Sequence, residues 1–327
     1  MDPGYPASVT VDSPIQPRRL LLARPRGYCA GVERAVDTVE KLLELHGAPI
    51  YVRKQIVHNI HVVRRLEQQG AIFVESEDEA PEGSTLVLSA HGVAPEVYTN
   101  AKARNLHAID ATCPLVTKVH NEAKRFAAQG YSIYLIGHAG HEEVVGTMGE
   151  APDSITLVQT VDDVALLAAP KTDKLAFVSQ TTLSVDETSV IIDALRARFP
   201  HIVAPKRDDI CYATTNRQLA VKSLAERVDV VLVIGSANSS NSQRLVDVTQ
   251  DLGIPAYLID DETHIQDQWL WGKETVGITS GASAPEWLVE RVVEWFRKRG
   301  VDEVAEHDLI EENVHFALPR ELRPARS

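Results

Sequence analysis

The stretch that decides the fold is Leu20–Val36, LLLARPRGYCAGVERAV, in which an apolar run ends at a cysteine and a helix-like run begins. The same pattern surrounds Cys113 in HAIDATCPLVTKVH and Cys211 in KRDDICYATTNRQ. The chain has only these three cysteines, and they lie 84 and 98 residues apart, too far for a local metal knuckle. Each cysteine therefore opens its own strand–loop–helix unit. This pattern predicts three related modules that each contribute one thiolate to a shared centre.

Polar loops repeat with the same period. The first loop of each module lies 29, 28 and 28 residues after its cysteine, at His58, His141 and Ser239. The second loop begins 60, 66 and 69 residues after it, at residues 89, 179 and 280. Alternating strands and helices build parallel sheets, and such sheets bind ligands at the carboxyl ends of their strands. We therefore predict an α/β fold of three pseudo-threefold-related modules, with mainly parallel sheets around a central cavity.

The repeat also divides the chain. We expect a flexible N-terminal tail (1–17), three modules (18–112, 113–210 and 211–300) and a C-terminal extension (301–327) without a readable motif. The tail contains no Lys or Arg and no apolar core, so it resembles neither a transit peptide nor a signal peptide, and we expect a cytoplasmic protein. The net charge of −13 argues against nucleic acid or an anionic membrane as a partner.

The three cysteines allow more than one interpretation. Buried core thiols are one, and a zinc site completed by a histidine is another. Three thiolates also leave a cubane iron–sulfur cluster one ligand short, so that one iron can bind a substrate. We prefer the cluster because the ligands come from three modules around a cavity, a space that zinc does not need. The helix dipole is expected to lower the pKa of a thiol at each helix start.

The predicted loops are rich in hydrogen-bond donors that carry no permanent charge. These donors are His58, His91, His141, Thr181, Ser239, Ser240, Asn241 and Ser283. Ser-Ser-Asn before a helix is also the composition of an ordinary N-cap, but the same placement aims N–H and hydroxyl groups at an anion. We favour a phosphate or diphosphate ligand. Glu143 is either a solvated carboxylate or, if it faces the cavity, a general acid.

Eight ordered blocks carry a resemblance to a known family. They are PRGYCAGVERAV, SAHGV, DATCPLVTKVH, GHAGHEEVVGTMGE, SQTTLSVD, DDICYATTNRQ, GSANSSNS and GASAPEW. From about Leu20 to Arg323 the chain resembles the 4-hydroxy-3-methylbut-2-enyl diphosphate reductases, the last enzymes of the non-mevalonate isoprenoid pathway. The resemblance implies reductive dehydroxylation of an allylic diphosphate to isopentenyl and dimethylallyl diphosphates. It also implies a [4Fe–4S] cluster bound by Cys29, Cys113 and Cys211, whose fourth iron binds the substrate hydroxyl.

The same resemblance implies roles for the loop residues. The eight uncharged donors match substrate-binding positions, Glu143 matches the proton donor, and a ferredoxin or flavodoxin is the expected electron donor. The family's usual His-Pro-Glu reads His141-Glu142-Glu143 here, so we expect Glu142 to raise the pKa of Glu143 by like-charge repulsion. Two other classes stay open: a non-enzymatic iron–sulfur redox sensor and an α/β zinc hydrolase that acts on a phosphate ester.

Overall fold

The structure, a computed structural model, describes residues 17–170 and 172–323. The predicted flexible tail therefore lies outside the described residues, except for Pro17. None of the helices in the described ranges combines the length and the apolar composition needed to cross a bilayer.

The first part of the chain forms one strand of a distant sheet and then a complete four-stranded sheet. In chain order its elements are β1 (Arg19–Arg24), α1 (Ala30–His46), β2 (Ile50–Arg53), α2 (Ile60–Gln69), β3 (Ala71–Val74), β4 (Thr85–Leu88), α3 (Pro95–Ala103) and β5 (His107–Asp110). The sheet has the order β3-β2-β4-β5. Helix α1 covers it because its apolar residues recur at helical spacing, and Val36 and Val39 are buried against the strands.

The second part forms a three-stranded sheet of order β7-β6-β8. Its elements are α4 (Pro114–Ala128), β6 (Ser132–Ile136), α5 (Glu142–Gly149), β7 (Ile155–Val158), α6 (Val161–Leu166), β8 (Leu175–Ser179) and α7 (Val185–Arg198). Helices α4 and α7 contribute to two separate apolar clusters that contain the strands of this sheet. Both faces of the sheet are therefore covered, as expected for parallel strands.

The third part forms a five-stranded sheet of order β10-β9-β11-β1-β12. Its elements are α8 (Tyr212–Ala225), β9 (Val230–Ile234), α9 (Ser240–Asp251), β10 (Ala256–Ile259), β11 (Thr275–Ser280), α10 (Glu286–Arg297) and β12 (Glu303–Asp308). All paired strands in the described ranges are parallel. The predicted class, three α/β modules with parallel sheets, is confirmed.

Strand β1 lies in the third sheet, between β11 and β12, although the sequence division grouped it with the first module. The difference follows from the threefold plan. Strand β5 of the first sheet leads to Cys113, and a bridge between Val203 and Ala176 of the second sheet precedes Cys211. Each cysteine thus separates the last strand of one sheet from the helix that covers the next sheet, and β1 closes this cycle.

Three strands are not predicted by the sequence pattern: β3, β7 and β10. Each has four residues, lies at the edge of its sheet and pairs with the strand that leads into the first polar loop. The C-terminal extension also contains an unpredicted strand, β12. Beyond it the chain reaches the first module, where Leu322 packs against the core and Ala317 O accepts a hydrogen bond from Arg34. The extension therefore connects the third module to the first.

Candidate active site

The structure brings all twelve predicted site residues to one cavity. They are Cys29, His58, His91, Cys113, His141, Glu143, Thr181, Cys211, Ser239, Ser240, Asn241 and Ser283. They come from all three parts of the chain, and the cavity lining contains no Lys or Arg. The shared location follows from the parallel topology, which gathers the carboxyl ends of the strands.

The three cysteines occupy equivalent positions. Each is the N-cap of a helix, α1, α4 or α8, and none of them forms a disulfide. Each backbone N–H donates to a carbonyl in a second polar loop: Cys29 to Ala282 (3.2 Å), Cys113 to Ala90 (3.0 Å) and Cys211 to Thr181 (3.0 Å). The local fold therefore fixes all three side chains at helix starts that face one cavity.

The predicted lowering of the thiol pKa is wrong for two of the cysteines. Burial, together with the charge of neighbouring Cys29, raises the pKa of Cys113 to about 12 and that of Cys211 to about 11. Hydrogen bonds from backbone N–H groups at the helix starts oppose this effect but do not overcome it. Three adjacent thiolates in such a place need a cation to neutralise them.

The cysteine surroundings fit a metal–sulfur group. A Cβ atom on Gly31 would lie 2.6 Å from Cys113 Sγ and 3.8 Å from Cys29 Sγ, so only glycine leaves the space beside these sulfurs clear. The chain offers no fourth cysteine. The donor set of three thiolates therefore matches a [4Fe–4S] cluster with one iron left free by the protein.

Glu143 lies at the start of α5 and is only 2% exposed. Its carboxylate accepts hydrogen bonds from the backbone N–H of Thr181 (2.6 Å) and from the Thr181 hydroxyl (3.1 Å). Burial raises the pKa of Glu143 to about 7, and the charge of Asp209 adds to the increase. The predicted repulsion from Glu142 is not among the causes, so that explanation was wrong. Glu142 Oε2 instead lies 3.2 Å from His91 Nδ1.

The three histidines form one group. His58 and His91 are stacked with ring centroids 3.9 Å apart, and His141 stands edge-on to both. Burial lowers the pKa of His58 to about 2 and that of His91 and His141 to about 4. All three imidazoles are therefore neutral near pH 7.

A metal position formed by His58, His91 and Glu142 is also conceivable, because their ligand atoms lie within 4.8 Å of one another. The two imidazole rings are nearly parallel, with 17° between their planes. Stacked rings direct their nitrogen lone pairs side by side instead of toward one point. The geometry therefore disfavours a zinc ion at this position.

The serine-rich loop of the third module serves both of the roles that its composition allowed. Ser239 is the N-cap of α9, and its hydroxyl accepts the backbone N–H of Ser242 (3.3 Å). Asn241 Oδ1 accepts the N–H of Ala282 (2.8 Å), while its Nδ2 is buried without a partner in the described part of the chain. The cap is thus real, and a free amide donor remains at the cavity.

Two further contacts join the modules around the cavity. The Ser240 hydroxyl donates to the carbonyl of Thr182 (3.1 Å), and the Ser283 hydroxyl donates to the carbonyl of His58 (2.9 Å). The sequence analysis missed Thr214, which also lines the cavity and whose hydroxyl lies 3.2 Å from Cys211 Sγ. Its position three residues after an N-cap cysteine was the available signal.

Three parallel-sheet modules that join three helix-capping cysteines, a buried carboxyl group and neutral donors in one cavity define an α/β enzyme of the oxidoreductase class. A family model described as "LytB protein" matches residues 20–297. The chain belongs to the LytB family.

Individual relatives agree with this membership. The 4-hydroxy-3-methylbut-2-enyl diphosphate reductase of Acidothermus cellulolyticus is 61% identical over 96% of this chain and 93% of its own length. The enzyme of the same name from Mycolicibacterium paratuberculosis is 58% identical over 99% of this chain and 97% of its own. The solved E-1-hydroxy-2-methyl-but-2-enyl-4-diphosphate reductase of Plasmodium falciparum superposes with a TM-score of 0.91 at 41% identity, covering 94% of this chain and 97% of that one.

Proposed function

We propose that this protein reduces (E)-4-hydroxy-3-methylbut-2-enyl diphosphate to isopentenyl and dimethylallyl diphosphates. The observation that carries the proposal is the single cavity that joins three thiols with Glu143 and the uncharged donor loops. Family membership and relatives of that name support the same reaction. Overall, the substrate hydroxyl leaves as water while two electrons and two protons are taken up.

Cys29, Cys113 and Cys211 would hold the [4Fe–4S] cluster. When bound, the cluster supplies single electrons and a Lewis-acidic iron at the position that has no protein ligand. The role of the protein there is to keep three thiolates together and to leave one side open, which the glycine at position 31 permits. A ferredoxin or flavodoxin remains the expected electron donor, and the cytoplasmic location remains a prediction.

The uncharged donors would bind the diphosphate. A diphosphate beside an anionic cluster is repelled, and the cavity lining offers no Lys or Arg to offset this. Hydroxyl groups, the free Asn241 amide and neutral imidazoles instead supply hydrogen bonds, and the N-terminus of α9 adds a favourable dipole. We therefore expect orientation of the substrate to depend on several donors, each of modest strength.

Glu143 would donate the proton that turns the departing hydroxyl into water. A pKa of about 7 keeps a substantial fraction of this carboxyl group protonated at neutral pH. Thr181 fixes its orientation through two hydrogen bonds. General acid catalysis is needed because hydroxide is a poor leaving group.

The test is anaerobic purification followed by iron and sulfide analysis, Mössbauer spectroscopy with and without substrate, and turnover with an artificial reductant. We expect four irons, one of which changes its signal when substrate binds. Zinc without sulfide would contradict the proposal and favour the hydrolase. A complete cluster that fails to turn over substrate would favour the redox sensor.

A further inference from the structure

Three cations lie close to the cysteines but outside the cavity lining. Arg34 and Lys118 follow Cys29 and Cys113 by five residues, and Arg217 follows Cys211 by six. Each lies on the helix that its cysteine caps. Each side chain reaches backbone carbonyls that directly precede a different cysteine, and this pattern repeats three times.

The first contact runs from α1 to the loop of Cys113. Arg34 donates from one Nη to the carbonyl of Thr112 (3.0 Å) and from the other Nη to the carbonyl of Asp110 (3.2 Å). Its Nε donates to the carbonyl of Ala317 in the C-terminal extension (2.9 Å). The guanidinium group therefore holds the segment that ends at Cys113 against the helix that begins after Cys29.

The second contact runs from α4 to the loop of Cys211. Lys118 Nζ donates to the carbonyls of Arg207 (2.7 Å) and Asp208 (2.8 Å) and to Asp209 Oδ1 (2.9 Å). Asp209 also accepts the backbone N–H of Ser179 (2.9 Å). The three acceptors around one ammonium group fix the segment that leads into Cys211.

The third contact runs from α8 back to the loop of Cys29. Arg217 is fully buried and donates to the carbonyl of Gly27 from Nη2 (2.7 Å) and Nε (3.2 Å), and to that of Tyr28 (3.4 Å). Glu312 of the C-terminal extension lies 3.2 Å from its Nη1 and neutralises it. A buried guanidinium group without this carboxylate would be unfavourable.

These contacts close a cycle, from the Cys29 helix to the Cys113 loop, then to the Cys211 loop and back to Cys29. We propose that Arg34, Lys118 and Arg217, here called the cation ring, are positioning residues that set the spacing of the three cysteine loops. Their positive charges also offset the negative charge of a cluster bound by three thiolates. The proposal rests on the proposed function, because it requires the cluster.

The experiment compares cations on the same helix. Lys118→Met removes a member of the cation ring, whereas Lys124→Met removes an α4 lysine that pairs with Glu150 (3.0 Å) and is 52% exposed. Arg34→Met and the α1 control Lys41→Met, which affects an exposed pair with Glu44, repeat the comparison on a second helix. The holoproteins are assayed for the rate of cluster loss to a chelator, for the reduction potential and for the Mössbauer spectrum.

We expect Lys118→Met and Arg34→Met to lose the cluster about 10- to 100-fold faster than the wild type, the range known for outer-shell partners of metal ligands. Their reduction potentials should fall, because a nearby positive charge favours the more negative reduced cluster. The two controls should match the wild type in all three measurements. Lys118→Arg, which keeps the charge and the donors, should restore most of the difference if Lys118→Met folds poorly.

Two results would overturn the proposal. One is a cluster in the ring variants whose loss rate and potential equal those of the wild type. The other is an equal change in the ring variants and the controls, which would indicate a general effect of charge or stability. A wild-type protein that binds no iron and sulfide would instead refute the proposed function itself, so the two failures are distinguishable.

Discussion

Replacing Glu143 with glutamine removes its titratable proton while keeping the shape of the side chain. The glutamine Oε1 can still accept the Thr181 N–H, and its Nε2 can donate to the Thr181 hydroxyl. The variant should therefore bind substrate and cluster normally. Because general acid catalysis contributes about 10²- to 10⁴-fold, we expect kcat to fall by that factor with little change in KM.

The pH dependence gives a second, independent signature. Folding raises the pKa of Glu143 from 4.5 to about 7, so the folded protein favours the protonated carboxyl group. Ionisation therefore destabilises the folded state progressively as the pH rises from 4.5 to about 7, by about 3 kcal/mol when complete. Glu143→Gln should lose activity at every pH and yet unfold at a higher temperature than the wild type above pH 7.

The assay follows anaerobic oxidation of a reduced viologen dye by substrate across the pH range, together with thermal unfolding of both proteins. Wild-type turnover should decline above about pH 7, and the residual turnover of the variant should lack that decline. Glu142→Gln is the matched control, since it removes a neighbouring carboxylate that contacts His91 instead. Turnover of Glu143→Gln at the wild-type rate, or with the same decline above pH 7, would refute the assignment of the proton donor.

Three further predictions concern other parts of the protein. Glu142→Pro should fold, because position 142 is the first residue of α5 where proline is favoured, and the loss of the carboxylate beside His91 should lower KM about fivefold, as expected from about 1 kcal/mol of repulsion; an unchanged KM would contradict this. Gly31→Ala should purify with little iron, because its Cβ would lie 2.6 Å from Cys113 Sγ, and iron analysis at wild-type levels would disprove it. Phe296→Ala, in the core of the third sheet, should lower the free energy of unfolding by about 3–5 kcal/mol in denaturant titrations without changing the cluster spectrum.

The sequence predicted the site well because its signals are local. A cysteine between an apolar run and a helical pattern becomes an N-cap wherever the helix packs, and all three did so. The equal loop spacings then required the same topology in each module, and parallel topology alone gathers the strand ends. Short edge strands such as β3 were missed because four residues with one buried face carry too weak a pattern.

The causes of the electrostatic shifts were not predictable. Glu142 is adjacent to Glu143 in sequence, yet the carboxyl group that raises the pKa of Glu143 is that of Asp209, which is 66 residues away. The helix dipole was expected to dominate at the cysteines, but burial does so at Cys113 and Cys211. Both effects depend on distances between elements that no local pattern encodes.

The sequence by itself determined where each strand and helix begins around the cysteines, and which side chains stand at the strand ends, because caps and periodicity act over a few residues. Only the tertiary structure decided that β1 completes the third sheet and that the C-terminal extension connects to the first module. It also decided that each cysteine helix holds the loop of another cysteine. These features arise from pairings between segments far apart in the chain, which are selected by packing and by the need to satisfy buried polar groups.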